Sequence, residues 1–167
     1  EAPYSYCGDP FVSACANYTV RLTAPAEYVV AASGREISSK KAGGDLTAEY
    51  KLDNARDFAF VLSKEFKTVK KQVGKTELSL YYRGEAQQGG ALDAAAQSLE
   101  YFACFGEYAY PTLSVVKTGF CTGGMEYPAL TMISDGLEGA DEAYTVVHEN
   151  AHQWWYAAVG SNQFANG

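Results

Sequence analysis

Thr145-Val146-Val147-His148-Glu149-Asn150-Ala151-His152-Gln153-Trp154-Trp155 holds both histidines of the 167-residue chain, four positions apart, with a glutamate directly after the first. Residues i and i+4 of a helix lie one above the other on a single face, so the two imidazoles can converge on one ion. Glu149, rotated from that face by one residue, can contact a water on the ion without occupying a metal position. A catalytic zinc takes three protein ligands and keeps a fourth position for water. The pattern supplies two of them, His148 and His152, and places Glu149 as the general base that collects a proton when zinc-activated water attacks a carbonyl. The alternative is a chance spacing of two ordinary helix residues. In a chain this poor in histidine such a match arises on the order of 1% of the time or less.

Working outward, Ala143, Tyr144, Val146, Val147, Ala151, Trp154, Trp155 and Ala158 give an apolar, helix-compatible background, which predicts a helix from about Asp141 to Val159. Asp141 and Glu142 stand where a helix N-terminus favours negative charge. A buried helix that carries a polar triplet needs partners for it, and a metal ion is a sufficient one.

Upstream the pattern is different. Tyr18–Thr23, Tyr28–Ala32, Leu46–Leu52, Phe58–Leu62, Lys67–Val73 and Glu77–Tyr82 are short β-branched and aromatic runs. Breaks at Ala24-Pro25, Ser33-Gly34, Ala42–Asp45 and Val73-Gly74 separate them, which suggests an antiparallel sheet or part of a sandwich. Residues 86–105 are alanine-rich with helical spacing, and Thr112–Lys117, Gly123–Pro128 and Leu130–Ser134 read as extended. The fold class expected is therefore α+β. An antiparallel β-rich N-terminal module, residues 1–84, is followed by an α/β unit, residues 85–167, with the division near Gly84-Glu85.

Composition narrows the function classes. A net charge of -7 argues against nucleic acid, whose phosphates demand basic patches. No apolar stretch has the length of a membrane-spanning helix. Lys64, Lys67, Lys70, Lys71 and Lys75 cluster, but Phe66 and Val69 interleave and Glu65 and Glu77 flank them, as on the solvated face of a strand pair. Cys7, Cys15, Cys104 and Cys121 show no Cys-x-x-Cys spacing, so small buried thiols are the expectation and the redox compartment stays open. A first residue Glu1 rather than methionine suggests a piece of a longer protein.

A second constellation precedes the histidines: Thr122-Gly123-Gly124-Met125-Glu126-Tyr127-Pro128. Adjacent glycines let a backbone approach a ligand closely, and an extended segment beside an active-site helix can pair with a peptide as an added strand. A glutamate there could hold a cation. Alone, a Gly-Gly turn before a surface glutamate is commonplace.

Together the two segments resemble the zinc aminopeptidases of the aminopeptidase N and leukotriene hydrolase family, the gluzincins, whose signature couples a Gly-x-Met-Glu-Asn strand to a His-Glu-x-x-His helix. Cys7-Gly8-Asp9-Pro10, Phe11 to Leu22, Asp57–Phe60, Tyr108–Pro111 and Leu113–Val116 extend the likeness. The resemblance implies a thermolysin-like catalytic domain begun in residues 85–167 and truncated before the third zinc ligand, a glutamate on the next helix beyond Gly167. It implies that His148 and His152 bind one Zn2+ and that Glu149 is the base. It also implies that Glu126 binds the free α-amino group of a peptide substrate, and that Gly123, Gly124 and Met125 line the substrate strand. Tyr127 departs from the family's usual asparagine. The implied activity is hydrolysis of N-terminal peptide bonds by the parent protein, the isolated segment being incomplete. A catalytically silent peptide-binding or scaffold member of the family, and an endopeptidase on the same zinc helix, are the alternatives.

Overall fold

A computed structural model describes residues 13–84, 90–119 and 123–162. The architecture is mixed α+β. β1 (Ala16–Pro25), β3 (Arg35–Ala42) and β4 (Asp45–Ala55) form an antiparallel sheet in the order β1-β4-β3. β2 (Val29–Ala32) and β5 (Phe60–Ser63) form an antiparallel pair. β6 (Lys67–Val73), β7 (Thr76–Tyr82), β8 (Thr112–Thr118), β9 (Gly124–Met125) and β10 (Leu130–Ser134) make a five-stranded sheet ordered β6-β7-β8-β10-β9. Its centre, β7-β8-β10, is parallel, and the outer pairs β6-β7 and β10-β9 are antiparallel. The β6-β7 hairpin, which precedes Gly84, is thus hydrogen-bonded into the same sheet as the strands that follow it.

Strand periodicity sorts this sheet's two faces. Leu78, Leu80, Leu113, Val115 and Ile133 point to one side, where they meet Ala91, Ala95, Ala96, Leu99 and Phe102 of α1 (Ala91–Phe102) and Val146 of α2 (Gly139–Ala151). Val116 and Leu130 point to the other side and pack with Ala31, Ala59 and Phe66 of the β2-β5 layer. Parallel strands with both faces covered are buried on both sides, which is why every residue from Leu113 to Lys117 is buried with no alternation. Burying a Leu or Val side chain contributes about 1.5–3 kcal/mol, so this sandwich between helices and strand pair is the main stabilising mass.

Three elements differ from the sequence reading, the first being the extended piece Gly123–Pro128, of which only Gly124–Met125 forms a strand before the chain turns at Pro128 and Ala129. β3 was not foreseen because Arg-Glu-Ile-Ser-Ser-Lys-Lys-Ala is exposed along its whole length and so has no buried face to impose alternation. The histidine helix ends at Ala151, well short of Val159. Beyond it the backbone tightens: Gln153 N–H and Trp154 N–H bond three residues back, to Asn150 O (3.1 Å) and Ala151 O (3.0 Å), and Tyr156 adopts φ +139°. The buried Trp154 indole, donating to Gly106 O at 2.9 Å, holds the chain in this turn. Packing overrides helical periodicity here.

The lysine cluster is a solvated face, as its sequence suggests. Lys70, Lys71 and Lys75 pair with Glu77 (2.7 Å), Asp93 (3.0 Å) and Glu107 (2.8 Å), and Lys64 pairs with Glu27. The cysteine expectation is corrected: Cys15, before β1, and Cys104, in the 3-10 turn Ala103–Phe105, are free and exposed, because neither lies on an apolar face of its element. Cys7 and Cys121 lie outside the described residues. Among the described residues no helix is long and apolar enough to cross a membrane.

Candidate active site

α2 brings His148 and Glu149 over the edge of the five-stranded sheet, and the turn after its last residue presents His152. The two imidazole Nε2 atoms lie 3.3 Å apart. Two nitrogens about 2.0–2.1 Å from one tetrahedral zinc are about 3.3–3.4 Å from each other, so the pair is spaced as a two-histidine half-site. His152 Nδ1 lies 3.0 Å from the Trp155 carbonyl, which can only accept, so the ring proton sits on Nδ1 and the Nε2 lone pair faces His148. The early end of α2 creates this contact, since it leaves a carbonyl free at the place where the ring needs orienting. Burial, and then the neighbouring imidazole, lower the His148 pKa, which favours the neutral form a metal requires.

Glu126 and Glu149 close the site from the sheet side. A ligand-type atom of each lies within 4.8 Å of the other and of His152, although the two residues are 23 positions apart in the chain. Both carboxylates are buried, at 3% and 6% exposure. Two acids held this close beside the two imidazoles suit a cation, whose charge would offset their mutual repulsion. The donor set of two imidazoles and nearby carboxylates is of the type zinc takes. Glu126, Glu149 and His152 are therefore gathered at one place, with His148 against His152 and Gly124 against Glu149.

The two glycines do different work. Gly124 sits against Glu149: a Cβ built on it would be 2.5 Å from Glu149 Cγ and 2.7 Å from both Cδ and Oε1. Gly123 has open space around it but φ +60°, a conformation that costs a side chain about 1–2 kcal/mol. Gly124→Ala is expected to shift the Glu149 carboxylate and lower any reaction that uses this carboxylate as a base about 100-fold, with little change in melting temperature. Gly123→Ala should do the reverse, and kinetics beside thermal melts of the two variants separate them.

Sequence reasoning missed the groups that hold this arrangement. Asn150, fully buried, accepts from Thr131 Oγ1 (3.3 Å) and donates to Ser98 Oγ (2.8 Å), joining α2 to β10 and α1. Tyr156 donates its hydroxyl to Asp57, and Arg56 donates to the Tyr156 carbonyl at 2.9 Å, which ties the end of the histidine turn to the residues after β4. Burial and Asp57 raise the Tyr156 pKa, so the hydroxyl remains a donor. Glu142 lies in the first turn of α2, as its place in the sequence suggests, and there it turns inward to form a buried ion pair with Lys117 of β8. Tyr127 packs its side chain toward Val116, Leu130 and Phe66, on the layer below the sheet. No protein-family model matches the chain, and no curated protein matches it.

Proposed function

We propose that this chain carries the core of a zinc-dependent aminopeptidase of the gluzincin type, with a thermolysin-like catalytic domain. The observation that carries the reading is the convergence of His148 and His152, Nε2 atoms 3.3 Å apart, with the buried carboxylates of Glu149 and Glu126 on one side of them. His148 and His152 would hold the ion, the resemblance implying a glutamate as the third ligand. When bound, zinc would supply Lewis acidity at the scissile carbonyl.

The chain's own residues do the rest. Glu149, pressed between Gly124 and the imidazoles, takes the proton of the attacking water and returns it to the leaving amine. Glu126 holds the substrate's α-ammonium by a charge-assisted hydrogen bond, which fixes cleavage one residue from the amino end. β9 is the edge strand of its sheet, so its outer side suits an extended peptide added as a further strand.

Glu126→Ala is the experiment that separates an aminopeptidase from an endopeptidase on the same zinc helix. In the full-length protein KM for unblocked peptides should rise about 10–100-fold, the worth of one hydrogen bond to a charged group, while N-acetylated peptides are unaffected. Equal behaviour of the two substrate classes in wild type and variant would point to an endopeptidase. Tight binding of unblocked peptide without turnover, in zinc-loaded wild type, would point to a silent peptide-binding module.

A further inference from the structure

The ladder between β9 and β10 consists of Met125 opposite Met132 and Gly124 opposite Ile133, and it stops one residue before Glu126. Residues 126–129 therefore run on without sheet partners at β10, through Ala129 at φ +59°. The Leu130 N–H bond to Tyr127 O (3.0 Å) closes this turn on itself, and Ser114 N–H ties Ala129 O to β8 (3.0 Å). Neither connects it to the histidines.

Gln153 does. Its carboxamide is 1% exposed and makes bonds of both kinds: Oε1 accepts from Ala129 N–H at 2.9 Å, and Nε2 donates to Tyr127 O at 3.1 Å and Glu126 O at 3.5 Å. It follows His152 directly in the chain. One planar group thus grips the backbone of the residue that bears the Glu126 carboxylate, while its own backbone continues from a metal-type imidazole. Only Asn and Gln offer a donor and an acceptor in such a fork, and Asn is one methylene too short to span the same distance from the same backbone.

We infer that Gln153 is a positioning residue that fixes the distance between the Glu126 carboxylate and the His148–His152 pair, and thereby sets the preference for peptides with a free amino end. This rests on the aminopeptidase reading. A displacement of Glu126 by about 1 Å is enough to uncouple amine recognition from the reacting carbonyl. The histidines, oriented by Trp155 O and by α2 itself, do not depend on the carboxamide.

The test uses the full-length protein with Gln153→Glu, which keeps the acceptor for Ala129 N–H but loses the donor, and Gln153→Met, which loses both. Zinc content, thermal melting, and kcat and KM for alanine p-nitroanilide and its N-acetyl derivative are measured. So is calorimetric affinity of the zinc-free protein for alanylalanine and N-acetylalanylalanine. Expected are wild-type zinc content in both variants, a KM for alanine p-nitroanilide raised about tenfold with kcat changed about twofold or less, and alanylalanine binding weakened about tenfold with the acetylated peptide unaffected. Variants that keep the wild-type ratio between free and acetylated ligands overturn the inference. So does a fall in kcat and zinc content together, which is what simple support of the helix end predicts. Should Gln153→Met fail to fold, Gln153→Glu, the near-isostere, decides by the same ratios. A wild-type protein that treats free and acetylated substrates alike overturns the aminopeptidase reading itself, a result distinct from either variant's.

Discussion

Glu149→Gln is expected to lower kcat for peptide hydrolysis about 10²–10⁴-fold while zinc content and melting temperature stay at wild-type values. The side chain is buried against Gly124, and glutamine has the same shape, so the packing survives the exchange. What is lost is the ability to take a proton from water. The alternative role for this carboxylate is that of a ligand, since one of its oxygens belongs to the same group of close atoms as those of Glu126 and His152. The two roles make opposite predictions for the metal. A general base leaves affinity for zinc nearly unchanged when replaced by its amide, whereas a ligand takes the ion with it. Zinc stoichiometry after dialysis, measured beside steady-state rates, distinguishes them, and coordinate loss of zinc and activity in Glu149→Gln would remove Glu149 from the position of base.

The largest stability effect is expected at Lys117. Its side chain and that of Glu142 are 2% and 3% exposed, so each is the other's charge partner in the interior. Parity along β8 puts Lys117 on the helix-facing side with Leu113 and Val115, where a lone cation could not be solvated. Lys117→Met strands the Glu142 carboxylate, and breaking a buried pair from one side costs about 3–5 kcal/mol. For a chain of this size that lowers the melting temperature by roughly 10 °C. Replacing both partners, Lys117→Met with Glu142→Leu, is expected to restore most of the loss, because the desolvation cost disappears with the charges. Thermal melts of the two single variants and the double variant form a mutant cycle. A single variant as stable as wild type would show the pair to be solvated, and a double variant no better than the singles would show that the site requires charge. Glu142 lies in the first turn of α2, so the pair also helps set where the histidine helix sits over the sheet.

The legibility of this protein in its sequence was uneven for identifiable reasons. Strands with one inward face, such as β1 and β4, alternate and could be read. β3 could not, since nothing it carries is buried, and its place beside β4 is decided by backbone pairing alone. The chemical triplet was plain because it holds both histidines of the chain and its spacing is local. Its supports were not, because Asn150 and Gln153 look like ordinary polar residues until their partners on α1, β10 and the turn at residues 126–129 are known.

Local order along the chain therefore determined the β-rich first half, the α+β class, and His148, Glu149, His152 and Glu126 as the residues on which the proposed chemistry rests. Periodicity and residue chemistry are properties of neighbours, and neighbours are what a sequence displays. Tertiary structure alone decided that the helix stops at Ala151, that Trp155 O thereby orients His152, that Gly124 makes room for Glu149, and that Lys117 answers Glu142. Each of these joins a backbone conformation or a buried charge to a surrounding that only packing creates. The free energy of an unsatisfied buried group depends on which other element comes to meet it.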